Sequence, residues 1–83
     1  MKILYFAWLR ERMNKGQEEV APPEAVTTID QLIDWKSAND EGFALAFEDR
    51  AIIRASIDDE LVDHDAPIAN AREIAFFPPM TGG

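Results

Sequence analysis

Residues Ile3–Leu9 are apolar on both sides of an extended chain: Ile3, Tyr5, Ala7 and Leu9 alternate with Leu4, Phe6 and Trp8. The run is rich in β-forming residues, has the length of a strand and stops at Arg10-Glu11-Arg12, so Lys2–Leu9 reads as a strand. Such a strand needs cover on both faces, and 83 residues supply little of it. A chain of this mass buries roughly 63% of its unfolded surface and leaves about 5,000 Å² exposed, enough for one small core and no deep cavity. One face of the strand is therefore expected to await a partner. The run is far short of the ~20 apolar residues that cross a bilayer. Its charged exit, with no small-residue cleavage site, also sets it apart from a secretion signal.

The rest of the chain reads as one domain, residues 1–83. Arg10–Lys15 suits a helical turn ended by Gly16, and Gln17–Ala21 a second strand closed by Pro22-Pro23. Thr28-x-x-Gln31 fits a capping box, in which the threonine oxygen takes an early amide while Gln31 reaches back. Ile29, Leu32, Ile33 and the stem of Lys36 then share a helical face, with Trp35 on its flank, and Asn39–Gly42 ends the helix. Phe43–Phe47 fits a single helical turn, and Glu48-Asp49-Arg50 a bend. Ala51–Ile57 reads as a strand with Ile53, Ala55 and Ile57 on one face and Arg54 and Ser56 on the other. Asp58–Asp65 reads as an acidic loop containing Leu61 and Val62. After a turn at Asn70-Ala71, Arg72–Phe77 forms the last strand, stopped by Pro78-Pro79. No internal repeat is present. Strand, strand, helix, strand, strand predicts an α+β roll, one main helix packed across a mixed sheet.

A search for catalytic chemistry finds little. Forty-seven percent hydrophobic and 29% charged residues describe a globular chain. The absence of cysteine excludes a disulfide framework, a thiolate zinc site and a cysteine nucleophile, and with no secretion signal the simplest compartment is the cytoplasm. His64, the only histidine, stands between Asp63 and Asp65, too few ligands for a metal, and reads as part of a solvated loop. Asp58-Asp59-Glu60 lacks the glycine and the glutamate spacing of a calcium loop. Ser37 and Ser56 have no histidine plausibly in reach, and no helix follows Gly82-Gly83 to cradle a phosphate. The 8 basic and 16 acidic side chains give a net charge of −8. It is unevenly spread, because Lys2, Arg10, Arg12 and Lys15 face only Glu11 within residues 1–15. The acidic remainder repels nucleic acid and would steer the chain toward a basic partner.

What stands out is the end. Residues 78–83 are expected to form a flexible tail, reaching roughly 20 Å if extended. Gly82 and Gly83 have no side chains, so the final carboxylate could thread a narrow channel in another protein. Phe76-Phe77-Pro78-Pro79-Met80-Thr81-Gly82-Gly83, closing a chain that opens Ile3-Leu4-Tyr5-Phe6-Ala7, resembles the small subunits of molybdopterin synthase. Arg10-Glu11, the capped helix, Leu61-Val62 and Glu73-Ile74-Ala75 extend the resemblance along nearly the whole chain. Two departures stand out: Asn70-Ala71-Arg72 replaces the usual Asp-Gly-Asp turn, and Met80 occupies a position that is usually β-branched.

The resemblance implies a ubiquitin-like β-grasp fold and a sulfur carrier with no catalytic groups or bound cofactor of its own. Gly83 would be adenylated by an ATP-dependent activating enzyme, converted with a sulfurtransferase to a thiocarboxylate, and would pass its sulfur to cyclic pyranopterin monophosphate in molybdenum cofactor biosynthesis. Gly82 would allow the threading. Two small and two large synthase subunits would make a heterotetramer. If the helix covers the Ile74–Phe76 face of the last strand, Phe77 joins Phe6 on the open face with Leu61 nearby. By resemblance that face docks the partners, while Pro78, Pro79, Met80 and Thr81 line the route of the tail. Alternatives remain open: a carrier for thiamine biosynthesis or transfer-RNA thiolation, against which the Phe-Phe-Pro-Pro run argues; a ubiquitin-like modifier that forms isopeptide bonds through Gly83; and a plain interaction domain with a frayed end.

Overall fold

The computed structural model describes residues 1–79. Strand β1 spans Lys2–Tyr5, shorter than the expected Lys2–Leu9, and gives way to helix α1, Trp8–Met13. The chain turns at Ala7, whose φ of 53° and ψ of −135° are costly for a residue with a Cβ. Two anchors impose that conformation. The Phe6 amide donates to the Phe76 carbonyl at 3.1 Å, and Leu9 beyond the turn is fully buried. Leu9 and Met13, four residues apart, lie on the buried face of α1, so half of the apolar run follows the helical period. Asn14, at φ 57°, closes α1, a role expected of Gly16. Gly16 instead opens β2, Gln17–Glu19, by accepting the Tyr5 amide at 2.9 Å.

Helix α2 spans Ile29–Asn39 and buries Ile29, Leu32, Ile33 and Lys36, the face expected from their spacing. The Thr28 hydroxyl accepts the Gln31 amide at 3.2 Å, but the Gln31 side chain accepts from the amide and hydroxyl of Thr27, one residue further back than a capping box requires. Asp40 both terminates α2 and caps α3, Glu41–Ala46, by accepting the Phe43 amide at 3.1 Å. The helical turn expected at Phe43–Phe47 therefore begins earlier and contains Gly42. A bend and a 3₁₀ turn (Arg50–Ile52) lead into β3, Arg54–Ile57.

The expected acidic loop is a hairpin. Asp58 and Asp59 adopt φ of 47° and 72°, the left-handed pair that a two-residue turn between twisted strands needs, and β4 follows at Glu60–Val62. The Asp58 carboxylate accepts the amides of Arg72 and Glu73 at 3.1 and 3.0 Å, holding the start of β5, Glu73–Phe77. Asn70 supplies the left-handed residue of the preceding turn at φ 65°, so the turn forms without the glycine.

The sheet order is β2-β1-β5-β3-β4, with β1 and β5 parallel in the middle and every other pair antiparallel. This is the expected α+β β-grasp arrangement, with a fifth strand and two short helices added to the one main helix. Helices pack on a single face. Ile3, Tyr5, Ile74 and Phe76 from the sheet meet Leu9, Leu32, Ile33, Phe43 and Phe47, all at most 2% exposed. Phe43 and Phe47 stack with centroids 3.9 Å apart, and Phe76 meets the Phe47 ring edge-on at 4.9 Å. Among the described residues no helix is long and apolar enough to cross a membrane.

One polar cluster borders this core. Buried Lys36 reaches Glu18 at 3.0 Å and Asp40 at 3.4 Å, and the Tyr5 hydroxyl donates to Glu18. The cluster ties β1, β2 and α2 to the cap of α3. Burial, reinforced by the Glu18 carboxylate, pushes the Tyr5 hydroxyl's pKa far up. Burial alone would raise Glu18, but hydrogen bonds from Tyr5 and Lys36 and the Lys36 charge bring it below its ordinary 4.5. The Phe43 amide, with Lys36, lowers Asp40 as well.

Two expectations follow. Phe76→Ala removes a buried ring packed edge-on against those of Phe43 and Phe47 and should cost about 3–5 kcal/mol of unfolding free energy in urea, far more than Phe77→Ala. Carboxyl groups with depressed folded pKa values stabilise the fold above their ordinary pKa and lose that contribution as pH falls through the folded value. Urea midpoints should therefore fall as pH drops below about 4.5 toward the lower folded values, and Glu18→Gln should flatten the fall. An equally steep fall in that variant would remove Glu18 from the acid response.

Candidate functional site

The helices leave the other face of the sheet bare, and strand register decides what it presents. Gln17, Leu4, Ala75, Ser56 and Leu61 form one row across all five strands. In the next row Phe77 lies opposite Arg54, and the Phe6–Phe76 hydrogen bond continues the parallel pairing so that Phe6 flanks Phe77 on its other side. Lys2, between Glu19 and Glu73, occupies the far end. The open face is thus charged at one end and apolar at the other, where β5 leads into Pro78.

Phe6 is 48% exposed and Leu61 61%, while Leu4 and Phe77 are half-buried and Ala75 is covered. Exposed apolar side chains gathered on one side of a sheet are a feature of interfaces. Phe6 and Phe77 are neighbours; Leu61, on the edge strand, lies about 10 Å across the face from the β5 line at the ordinary strand spacing. Pro79 is exposed, but Pro78 is buried. Pro78 is thus packed on the domain between a half-buried Phe77 and an exposed Pro79. Met80, Thr81, Gly82 and Gly83 lie outside the described residues.

Sequence reasoning missed two members of this surface. Leu4 shares the alternating face of Phe6, a signal present in the sequence. Arg54 is exposed beside Phe77, and strand alternation already set it opposite Ile53. Its pairing with Phe77 depends on a register between segments some twenty residues apart, which no local pattern reveals. Trp8, by contrast, leaves the sheet at the Ala7 turn and lies beneath the Arg12 guanidinium, 4.6 Å from its ring centroid.

His64 is structural. Its Nε2 faces the Ile53 carbonyl at 2.7 Å and must donate there, because a carbonyl only accepts; Nδ1 lies 3.7 Å from Asp30. The ring thus pins the segment after β4 to the chain before β3, and is not part of a solvated loop. No group of three or more metal-ligating side chains occurs among the described residues. What this geometry offers is a partly exposed apolar face at the end of the sheet where β5 leads into Pro78.

Residues 3–83 match the ThiS family. The chain is 37% identical over 83 residues to the molybdopterin synthase sulfur carrier subunit of Escherichia coli, covering 100% of this chain and 99% of that protein. It is 30% identical, over the same shares, to the protein of that name from Haemophilus influenzae. The crystal structure of SAMP1 from Haloferax volcanii has the same fold, with a TM-score of 0.71 over 99% of this chain and 97% of that one at 23% identity. On the match across residues 3–83, with full-length relatives beside it, the chain belongs to the ThiS family.

Proposed function

We propose that this chain is the sulfur carrier subunit of a molybdopterin synthase and that its reactive group is the carboxylate of Gly83. The observation that carries the proposal is 37% identity, end to end, with a protein of that name. The bare apolar face around Phe6 and Phe77 supports it, because a carrier must be held while its end reaches into another protein's site.

The chemistry needs little from the carrier itself. A carboxylate resists acyl transfer, so an activating enzyme joins Gly83 to the AMP portion of ATP and releases pyrophosphate. A sulfur nucleophile then displaces AMP and leaves a thiocarboxylate. In the large subunit the acyl–sulfur bond breaks, sulfur passes to cyclic pyranopterin monophosphate, and water restores the carboxylate. Two sulfurs complete each dithiolene, so carriers exchange or are recharged. The chain contributes binding and reach: Phe6, Leu61 and Phe77 hold the partner, while Pro79, Met80 and Thr81 lead toward Gly82, which passes the constriction. Two carriers with two large subunits make the working assembly, in the cytoplasm.

Incubation with ATP, the activating enzyme and sulfide, which displaces AMP from the acyl-adenylate, should raise the intact mass by the difference between a sulfur and an oxygen atom, within the C-terminal peptide alone. Deleting Gly83 should abolish this and molybdopterin formation while leaving thermal unfolding unchanged. Normal molybdopterin formation by the deletion variant would sink the carrier reading. Thiocarboxylate formation without sulfur transfer to the synthase would point to another sulfur pathway. A separate measurement concerns the face: Phe77→Ala should weaken binding to the large subunit by more than about 1 kcal/mol in titration calorimetry if Phe77 is an anchor.

A further inference from the structure

We propose that Arg54 is a specificity-determining residue of the docking face and takes a carboxylate of the large subunit that covers Phe77. This rests on the docking face assigned above.

Arg54 and Phe77 are directly paired across β3 and β5 on the bare side of the sheet, so a surface that covers the ring also meets the guanidinium. The arginine is exposed, and among the described residues no carboxylate lies within ion-pair distance of it. Arg50, four residues earlier, is differently placed: it is held by Asp34 at 2.6 Å and by Asp30 at 3.5 Å across the helix layer. Asp63 follows directly on β4, whose last residue Val62 pairs with Ala55 beside Arg54, and yet it makes no ion pair with Arg54.

Desolvation makes the choice of partner group. Covering Phe77 with apolar surface strips water from the adjacent cation, and an arginine left dry and unpaired costs far more than the ring contributes. The partner must therefore present an anion beside its apolar patch or leave Arg54 in a wet rim. The guanidinium fork matches a carboxylate with two parallel hydrogen bonds, giving the apolar contact an orientation that it would otherwise lack. A net charge of −8 does not predict this. The local field at the apolar end of the face is set by a cation, so the partner's contact zone there is acidic even if it is basic elsewhere.

The test is titration of the full-length chain against the large subunit with Arg54→Ala, Arg54→Lys, Arg54→Glu, Asp63→Asn and Phe77→Ala, each checked for unchanged thermal unfolding. Arg54→Ala should weaken binding tenfold or more, Arg54→Glu further still, and Arg54→Lys should restore only part of the loss, because an ammonium lacks the fork. Asp63→Asn should leave affinity within twofold. Loss on Phe77→Ala with no loss on Arg54→Ala overturns the proposal and leaves the docking face standing. Equal losses on Asp63→Asn and Arg54→Ala overturn it too, since Arg54 would then find its carboxylate within its own chain. Wild-type affinity in both Arg54→Ala and Phe77→Ala removes the docking face and the proposal with it.

Discussion

A single layer of helix can cover only one side of a five-stranded sheet, and this limit organises the whole molecule. The side chains of α1, α2 and α3 meet Ile3, Tyr5, Ile74 and Phe76, and nothing remains in 79 described residues to lie across Leu4, Phe6, Ala75 and Phe77. Alternation along each strand then does the sorting. Phe76 goes to the core and Phe77 to the surface because one residue separates them, and a slip of one place in β5 would exchange their fates. The registers that prevent such a slip are held from outside the strand, by Asp58 on the amides of Arg72 and Glu73 and by the Phe6 amide on Phe76.

The parts legible in the sequence were those set by neighbours in sequence. Thr28 and the spacing of Ile29, Leu32 and Ile33 describe α2 without reference to anything distant, and the alternation of Ile74-Ala75-Phe76-Phe77 describes β5. Where charge and conformation disagreed, charge misled. Asp58-Asp59 looks like solvated loop, yet aspartate tolerates the left-handed region and so can close a hairpin. Ala7 misled in the opposite way, since alanine rarely accepts positive φ and nothing local announces that long-range anchors will impose it. The candidate face was half visible: Phe6, Leu61 and Phe77 could be assigned to one side from alternation, but the Arg54–Phe77 pairing exists only once β3 and β5 are aligned.

Charge follows the same division of labour. The acidic residues surround the body, and those brought against the core are neutralised locally, as Glu18 and Asp40 are by Lys36. Net charge therefore describes the solvated shell and says little about the contact zone. An arginine and two phenylalanines come to share one row of the sheet, which is a property of topology more than of composition.

The parallel pairing of β1 with β5 also bears on how the chain comes into being. The second strand made by the ribosome, β2, satisfies one edge of β1; its other edge has no partner until Glu73–Phe77 has been synthesised. Ile3, Tyr5, Phe43 and Phe47 cannot close their core around the Phe76 ring before it has been made, and such distant pairing forms late in folding. A nascent chain is thus held open until translation has passed residue 77, within six residues of the glycine on which a carrier's chemistry would depend. Compactness in this protein therefore vouches for the presence of β5, and chains truncated before Glu73 lack the strand around which the core closes.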